Sequence, residues 1–151
     1  MEKLMWPHRS GELFPYRIPV ELRPYTDALG FDLASTIFLE CGGAQIYLGT
    51  KGKGSQYGFL KGLIGDDGYT RLCESGLKVG VVHRIPLANE FLVKFFAASG
   101  VPVQDIARRI RMTDVGVRSL LLSPAERLKR KRHRKRAYAA FQAVPELEED
   151  A

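Results

Sequence analysis

The sequence offers little for metal binding or covalent cross-linking. Cys41 and Cys73 are its only cysteines, no CxxC pair occurs, and the three histidines lie far apart. Structural zinc sites use ligands at short, paired spacings, so no metal site is expected. The thiols fit a reduced cytosolic protein, and a disulfide between them stays open as an alternative.

Membrane and enzyme motifs are also missing. No apolar stretch approaches the roughly 18 residues of a membrane span, and the first residues lack the pattern of a signal peptide. No Ser/His/Asp or Cys/His set stands out, and the glycines at 52 and 54 do not belong to a GxxxxGK[ST] phosphate loop. The adjacent Asp66 and Asp67 are more typical of a helix cap than of a catalytic pair. We therefore expect a cytoplasmic protein with no membrane contact, enzymatic activity or cofactor.

Positive charge is concentrated in one short block. The net charge is +6, yet residues 127–136 hold eight Lys or Arg and no acid, whereas residues 137–151 hold four acids and no base. Such a block attracts polyanions, so double-stranded DNA is the favoured partner. A solvated basic tail without a partner is the alternative.

Hydrophobic periodicity predicts a mainly α-helical protein with one or two short β-strands. Four prolines in residues 1–25 indicate an irregular N-terminal arm. A helix capped by Thr26 or Asp27 should follow and end at Gly42-Gly43, before a short strand over residues 45–48.

Two shorter helices divided by Gly65, the first of them starting at Ser55, are predicted next, followed by a second strand over residues 78–85. The two strands could pair within one chain or between two chains. We assign residues 26–85 to an α/β region of the dimerisation type.

The stretch from Val103 to Leu122 has the pattern of a helix-turn-helix. Pro102 suits the start of its first helix, Thr113 suits the N-cap of the second, and Ala107 is small enough for the helix crossing. Apolar residues that would lock the angle between the helices are Ile106, Ile110, Met112, Val117 and Leu120. We assign residues 86–122 to a helix-turn-helix DNA-binding domain.

The second helix of such a motif presents its first side chains to the major groove. The candidate base-reading residues are Thr113, Asp114, Val115, Arg118 and Ser119, and Arg118 can bind guanine through two hydrogen bonds. The candidate phosphate contacts on the first helix and turn are Gln104, Arg108, Arg109 and Arg111. Two features are unfavourable, because Arg111 occupies a turn position where glycine is common and Gly116 interrupts the second helix.

Residues 123–151 are predicted to form a basic helix and an acidic tail. Ser123-Pro124-Ala125-Glu126 is a capping-box pattern, from which the helix should run towards Ala143. Its charges cover every face through two turns, so we expect it to become ordered on DNA. The candidate phosphate contacts here are Lys129, Arg130, Lys131, Arg132, Arg134, Lys135 and Arg136.

The order of these elements resembles the Mor transcription activator family of bacteriophages and prophages. That family shows a Gly-Gly-x-x-(Ile/Leu)-Tyr-Ile-Pro pattern, and here Gly42-Gly43 precedes Gln45-Ile46-Tyr47-Leu48. Leu63-Ile64-Gly65, an Ile85-Pro86 step and the helix-turn-helix follow in the same order. The resemblance covers roughly residues 26–122.

The resemblance implies a homodimer that activates phage promoters through the bacterial RNA polymerase. It also implies that Gly42, Gly43, Gln45 and Tyr47 approach the DNA backbone or minor groove; a helix terminator with an ordinary strand is the alternative. Three departures put the activating role in doubt. Gly49 replaces the usual proline, Arg111 replaces a small turn residue, and the chain after Leu122 extends past the usual end.

The predicted function is that of a sequence-specific DNA-binding transcription regulator. Two other roles combine a helix-turn-helix with a basic segment, namely a DNA-packaging protein like a terminase small subunit and a nucleoid-type protein. A repressor or anti-defence regulator would differ from an activator only in where its site lies relative to the promoter.

Overall fold

The computed structural model describes residues 3–50 and 56–143, and in them the chain is mainly helical, with two small antiparallel sheets. The elements are β1 Leu4–Pro7, β2 Leu13–Tyr16, a 3-10 turn Val20–Leu22, α1 Arg23–Cys41, β3 Gln45–Leu48, α2 Tyr57–Cys73, β4 Val81–Arg84, α3 Asn89–Ala98, α4 Val103–Ile110, α5 Asp114–Leu120 and α6 Pro124–Gln142. The mainly α-helical character is confirmed, whereas the described residues hold four short strands where the sequence predicted one or two. The predicted start of a helix at Ser55 and the acidic tail lie outside the described residues.

The N-terminal residues form a β-hairpin, so the prediction of an irregular arm over residues 1–25 is wrong. β1 and β2 pair antiparallel, with Met5 opposite Pro15. A two-stranded sheet leaves one edge of each strand unpaired, and proline is tolerated at such an edge. Trp6 is 2% exposed and Tyr16 is 8% exposed, so the hairpin is part of the core.

The helix expected to begin at Thr26 or Asp27 begins earlier, at Arg23. Pro24 lies in its first turn, where the missing proline N–H has no helical partner to lose. The helix ends at Cys41, directly before Gly42 and Gly43, as the sequence predicted.

α1 and α2 are each kinked at a glycine with a positive φ. Gly30 has φ 78° and ψ 173°, and Gly65 has φ 76° and ψ 170°. A side chain would be strained in this conformation, so glycine allows the chain to stop one helix and start another within a single residue. The sequence predicted the break at Gly65 but not the one at Gly30.

Each kinked helix is followed by one strand of the second sheet. α1 packs against α2, and β3 pairs antiparallel with β4, with Tyr47 opposite Val82. The two strands therefore pair within one chain. The predicted second strand shortens from residues 78–85 to Val81–Arg84.

One continuous core joins these units to the C-terminal helices. The Phe91 ring of α3 lies 5.5 Å from the Phe38 ring and 6.0 Å from the Phe31 ring, both on α1. Ile106 of α4 and Val117 of α5 are 0% exposed in the same cluster. The boundary assigned between residues 85 and 86 thus does not separate two cores. Across the described residues, no helix combines the length and apolar character needed to cross a membrane.

Candidate nucleic-acid interface

α4 and α5 are two short helices joined by a tight turn where the sequence predicts a helix-turn-helix, and α3 packs against both. Ile106 and Val117 are fully buried where the helices meet, and Ala107 is 8% exposed beside them. The other predicted apolar positions, Ile110, Met112 and Leu120, are partly buried against the core. The apolar set of the motif is therefore confirmed.

Arg111 closes α4 in the left-handed conformation, with φ 55° and ψ 45°. The next residue, Met112, donates its N–H to the Ala107 carbonyl at 3.0 Å, which ends the helix. A residue with a Cβ costs about 1 kcal/mol or more in this conformation. The unfavourable turn position predicted from the sequence is therefore real, and the arginine side chain remains exposed.

Thr113 caps the start of α5, as predicted. Its Oγ1 accepts a hydrogen bond from the Gly116 N–H at 3.0 Å. A Cβ at Gly116 would lie 3.1 Å from Met112 Cε and 3.2 Å from Thr113 Oγ1, so the glycine lets the turn pack tightly on the helix. Asp114 and Val115 are exposed on the first turn, and Val115 is 65% exposed.

The two remaining candidate base readers already have partners within the protein. Arg118 Nη1 donates to Asp114 Oδ2 at 2.8 Å, so its guanidinium is held along α5. Ser119 is partly buried, and its Oγ accepts from Arg130 Nη1 at 2.9 Å. Ser119 therefore links α5 to α6. Of these two residues, Arg118 is the exposed one.

The predicted phosphate contacts on α4 are all exposed. Arg108 forms an ion pair with Asp105 one turn away. The Arg109 guanidinium lies 5.3 Å from the centre of the Phe96 ring, and this cation–π contact limits its orientations. Gln104 is also exposed.

The glycine pair lies beside the helix-turn-helix. Gly42, Arg109 and Arg111 line one depression of about 160 Å³. A Cβ at Gly42 would lie 2.4 Å from the Phe38 carbonyl oxygen, so the glycine is needed for this close approach. The fold thus brings the candidate minor-groove segment to the same surface as the turn of the motif.

The outer face of the second sheet carries Gln45 and Tyr47, both exposed. Arg84 lies opposite Gln45 and donates to the Gly43 carbonyl at 3.0 Å. Arg84 adds a cation to the candidate surface, and the sequence analysis did not identify it. Cross-strand register would have been needed, because 41 residues separate the two partners of this bond.

α6 begins as the capping box predicts. Ser123 Oγ accepts from the Glu126 N–H at 3.2 Å, and Pro124 follows the cap. The helix runs to Gln142 with no buried residue. Tyr138 is 64% exposed and Phe141 is 77% exposed, so neither packs back on the body.

Within the part of the chain that the structure describes, most of the cations of α6 have no carboxylate partner. Arg127 and Arg130 bind groups on the body of the protein. Over residues 3–50 and 56–143, no carboxylate lies within ion-pair distance of the others, which are Lys129, Lys131, Arg132, Arg134, Lys135 and Arg136. α6 is therefore an exposed helix with positive charge on all sides.

A partly buried ion cluster, missed by the sequence analysis, joins α6 to α3 and the hairpin. Lys94 Nζ donates to Glu90 Oε1 at 2.6 Å and lies 4.5 Å from the centre of the Tyr16 ring. Burial lowers the pKa of Lys94, and burial with the nearby Glu90 charge raises the pKa of Tyr16 to about 12. Arg127 Nη2 donates to the same Glu90 oxygen at 2.9 Å.

Comparisons with protein-family models, with curated proteins and with solved structures find no match for this chain.

Proposed function

We propose that this protein is a sequence-specific DNA-binding transcription regulator that acts as a homodimer in a bacterial cytoplasm. The observation that carries the proposal is the pairing of an exposed first turn of α5 with a neighbouring exposed helix, most of whose cations have no carboxylate partner within the described residues. In such a pair, α5 would read bases in the major groove and α6 would neutralise phosphates.

The path of positive charge supports a single duplex as the ligand. Arg111 closes α4 directly before the turn into α5, and Arg130 of α6 donates to Ser119 near the end of α5. A duplex in contact with α5 would therefore meet cations near both ends of this helix. Activation through RNA polymerase, as in the Mor family, remains the proposed mode of regulation.

A packaging or nucleoid-type role is the second candidate, and the length of α6 favours it. A fully exposed basic helix binds the backbone of any duplex, because phosphate contacts carry no sequence information. Such a protein would coat DNA or bind ends instead of one site.

Selection of bound sequences from a random DNA pool separates these roles. An inverted-repeat consensus supports the dimeric regulator, whereas no enrichment above background refutes sequence-specific recognition. Arg118→Ala should then relax preference at one base position per half-site by about 1–3 kcal/mol. Arg71→Ala is the matched control, because this exposed arginine lies on α2 and should leave the consensus unchanged.

Sedimentation equilibrium tests the homodimer separately. If the protein is a monomer and still selects one asymmetric site, DNA recognition stands and the homodimer is refuted.

A further inference from the structure

The turn of the N-terminal hairpin contacts the first turn of the basic helix. Glu126 Oε1 accepts a hydrogen bond from His8 Nε2 at 2.9 Å and another from Arg9 Nη2 at 3.0 Å. His8 and Glu126 are 118 residues apart in sequence. In a full capping box the carboxylate would return to the backbone of Ser123, whereas here it binds the hairpin.

The His8 ring is held in a defined orientation. The Ser10 N–H donates to His8 Nδ1 at 3.2 Å, so Nδ1 is an acceptor and Nε2 carries the proton that is donated to Glu126. The ring packs edge-on against Phe14 at 5.8 Å between centres. The His8 side chain is only 9% exposed, so the ring has little room to turn. Its hydrogen bond therefore restricts both the position and the orientation of the Glu126 carboxylate.

The hairpin is in turn attached firmly to the helix-turn-helix. Trp6 of β1 is 2% exposed, and Lys94 of α3 lies 5.0 Å from the centre of its ring. β1 and α3 also pack along one another. The hairpin therefore packs on α3, and α3 packs on α4 and α5.

Beyond its base, α6 has little else to hold it. Its side-chain hydrogen bonds to the body, within the described residues, come from Glu126, Arg127 and Arg130. A 19-residue helix is about 28 Å long, so a tilt of about 20° at its base would displace its far end by about 10 Å. Small changes at Glu126 thus become large displacements of the cations.

We propose that the hairpin turn sets the direction of α6 relative to α5, and that Glu126 is the positioning residue through which it acts. The biological use of this restraint rests on the proposed DNA-binding function. The restraint on the direction of α6 does not depend on that function. With α6 held in one direction, the phosphate contacts and the base contacts meet one duplex in a fixed register. Without that restraint, α6 would still attract DNA but would favour one alignment less strongly, because, of its side-chain hydrogen bonds to the body in the described residues, only those of Arg127 and Arg130 would remain.

The geometric part is tested without DNA by measuring the distance between two spin labels. The labels are attached through p-acetylphenylalanine at Val20 and Tyr138, which are both well exposed, and read by double electron–electron resonance. The unmodified contact should give a narrow distance distribution, and Glu126→Ala should broaden it. His8→Ala should also broaden it while leaving the sequence of α6 intact, so the result does not depend on a weakened helix start. Glu12→Ala, a change of an exposed acid on the same hairpin, should leave the width unchanged.

Glu126→Gln provides the conservative rescue, since its amide oxygen can still accept from His8. It should restore much of the narrow distribution. An equally narrow distribution in both alanine variants would overturn the positioning role, whatever DNA the protein binds.

The functional part compares selected DNA with random DNA of equal length. Glu126→Ala should lower the ratio of specific to non-specific affinity by about 2- to 30-fold. Non-specific affinity should stay equal or rise, because an acid is removed near the phosphates. Equal changes in both affinities would overturn the positioning role in favour of a charge effect. Absence of specific binding in the unmodified protein would instead refute the proposed function and leave the spin-label result standing.

Discussion

Arg127 donates a hydrogen bond to Glu90 at 2.9 Å, and this bond joins the first cation of the basic block to α3. The same carboxylate oxygen accepts from Lys94 at 2.6 Å. Glu90 therefore binds two cations. Arg127 also donates a second hydrogen bond to the Leu120 carbonyl at 2.9 Å. The base of α6 is thus tied to both α3 and α5, and Arg127 contributes to the fold.

Glu90 should make stability depend on acid pH. Burial by itself raises the pKa of Glu90, but the hydrogen bonds and charges of Lys94 and Arg127 outweigh it and hold that pKa below its usual 4.5. The stabilisation is therefore complete above the unfolded-state pKa and is lost as the pH falls through the lower folded-state pKa. Urea denaturation at several pH values should show this loss, and Glu90→Gln should reduce it. Glu12→Gln is the control.

Glu90→Ala should destabilise the protein more strongly, by about 2 kcal/mol, which is less than for a fully buried pair because Glu90 is 35% exposed. The change leaves the ammonium of Lys94, whose side chain is 5% exposed, without its carboxylate. A loss of less than about 1 kcal/mol at neutral pH would contradict a partly buried pair of this kind.

Arg111→Gly should separate stability from DNA binding. Glycine removes the Cβ penalty of the left-handed turn, so the free energy of unfolding should rise by up to about 1 kcal/mol. If the arginine neutralises one phosphate, the slope of log affinity against log salt should become shallower by about 0.9. Arg111→Lys keeps the charge and the Cβ, so both quantities should stay close to their original values. A less stable glycine variant would show that the side chain is needed for the turn.

Gly42→Ala should destabilise the protein by about 2 kcal/mol, as is typical of overpacking. The added methyl group would meet the Phe38 carbonyl at 2.4 Å and the Leu87 Cα at 3.4 Å. Gly62→Ala is the matched control inside α2, where an added Cβ meets nothing within 4 Å. There, alanine should stabilise the helix by about 0.5–1 kcal/mol. Thermal or urea unfolding of both variants measures the contrast, and equal effects would remove the packing argument for Gly42.

The salt dependence of DNA binding should depend on α6. If this helix neutralises about five phosphates, the slope of log affinity against log salt is about −4.5. Replacing Arg130, Lys131, Arg132 and Arg134 by alanine should flatten it. A control removes four exposed cations elsewhere, namely Lys3, Arg17, Arg71 and Lys78. An unchanged slope in the first variant would contradict the role of α6.

Local patterns predicted several helix ends correctly. The caps at Thr113 and Ser123 and the breaks at Gly42 and Gly65 depend on a few neighbouring residues, so the sequence contains their causes. The hairpin was missed because the four prolines of residues 1–25 indicated an irregular arm, although the edge of a small sheet accepts Pro15. The break at Gly30 was hidden by apolar spacing that continues across it.

The long-range contacts could not be predicted from local patterns. Glu126 looks like half of a capping box, and only the folded chain brings His8 beside it. Lys94 looks like an exposed helix cation, yet Trp6 and Tyr16 enclose it once the hairpin packs on α3. The candidate site is therefore predictable where one helix presents it, and unpredictable where separate elements meet.

The unit of a kinked helix and a strand, present twice, is consistent with an internal duplication. Gly30 and Gly65 adopt nearly the same dihedral angles, α1 packs on α2, and β3 pairs with β4. Two half-length chains could build the same arrangement only by associating, whereas here one chain supplies both halves. The surfaces that bring the halves together are consequently occupied within the protomer, and a homodimer would have to assemble through a different face.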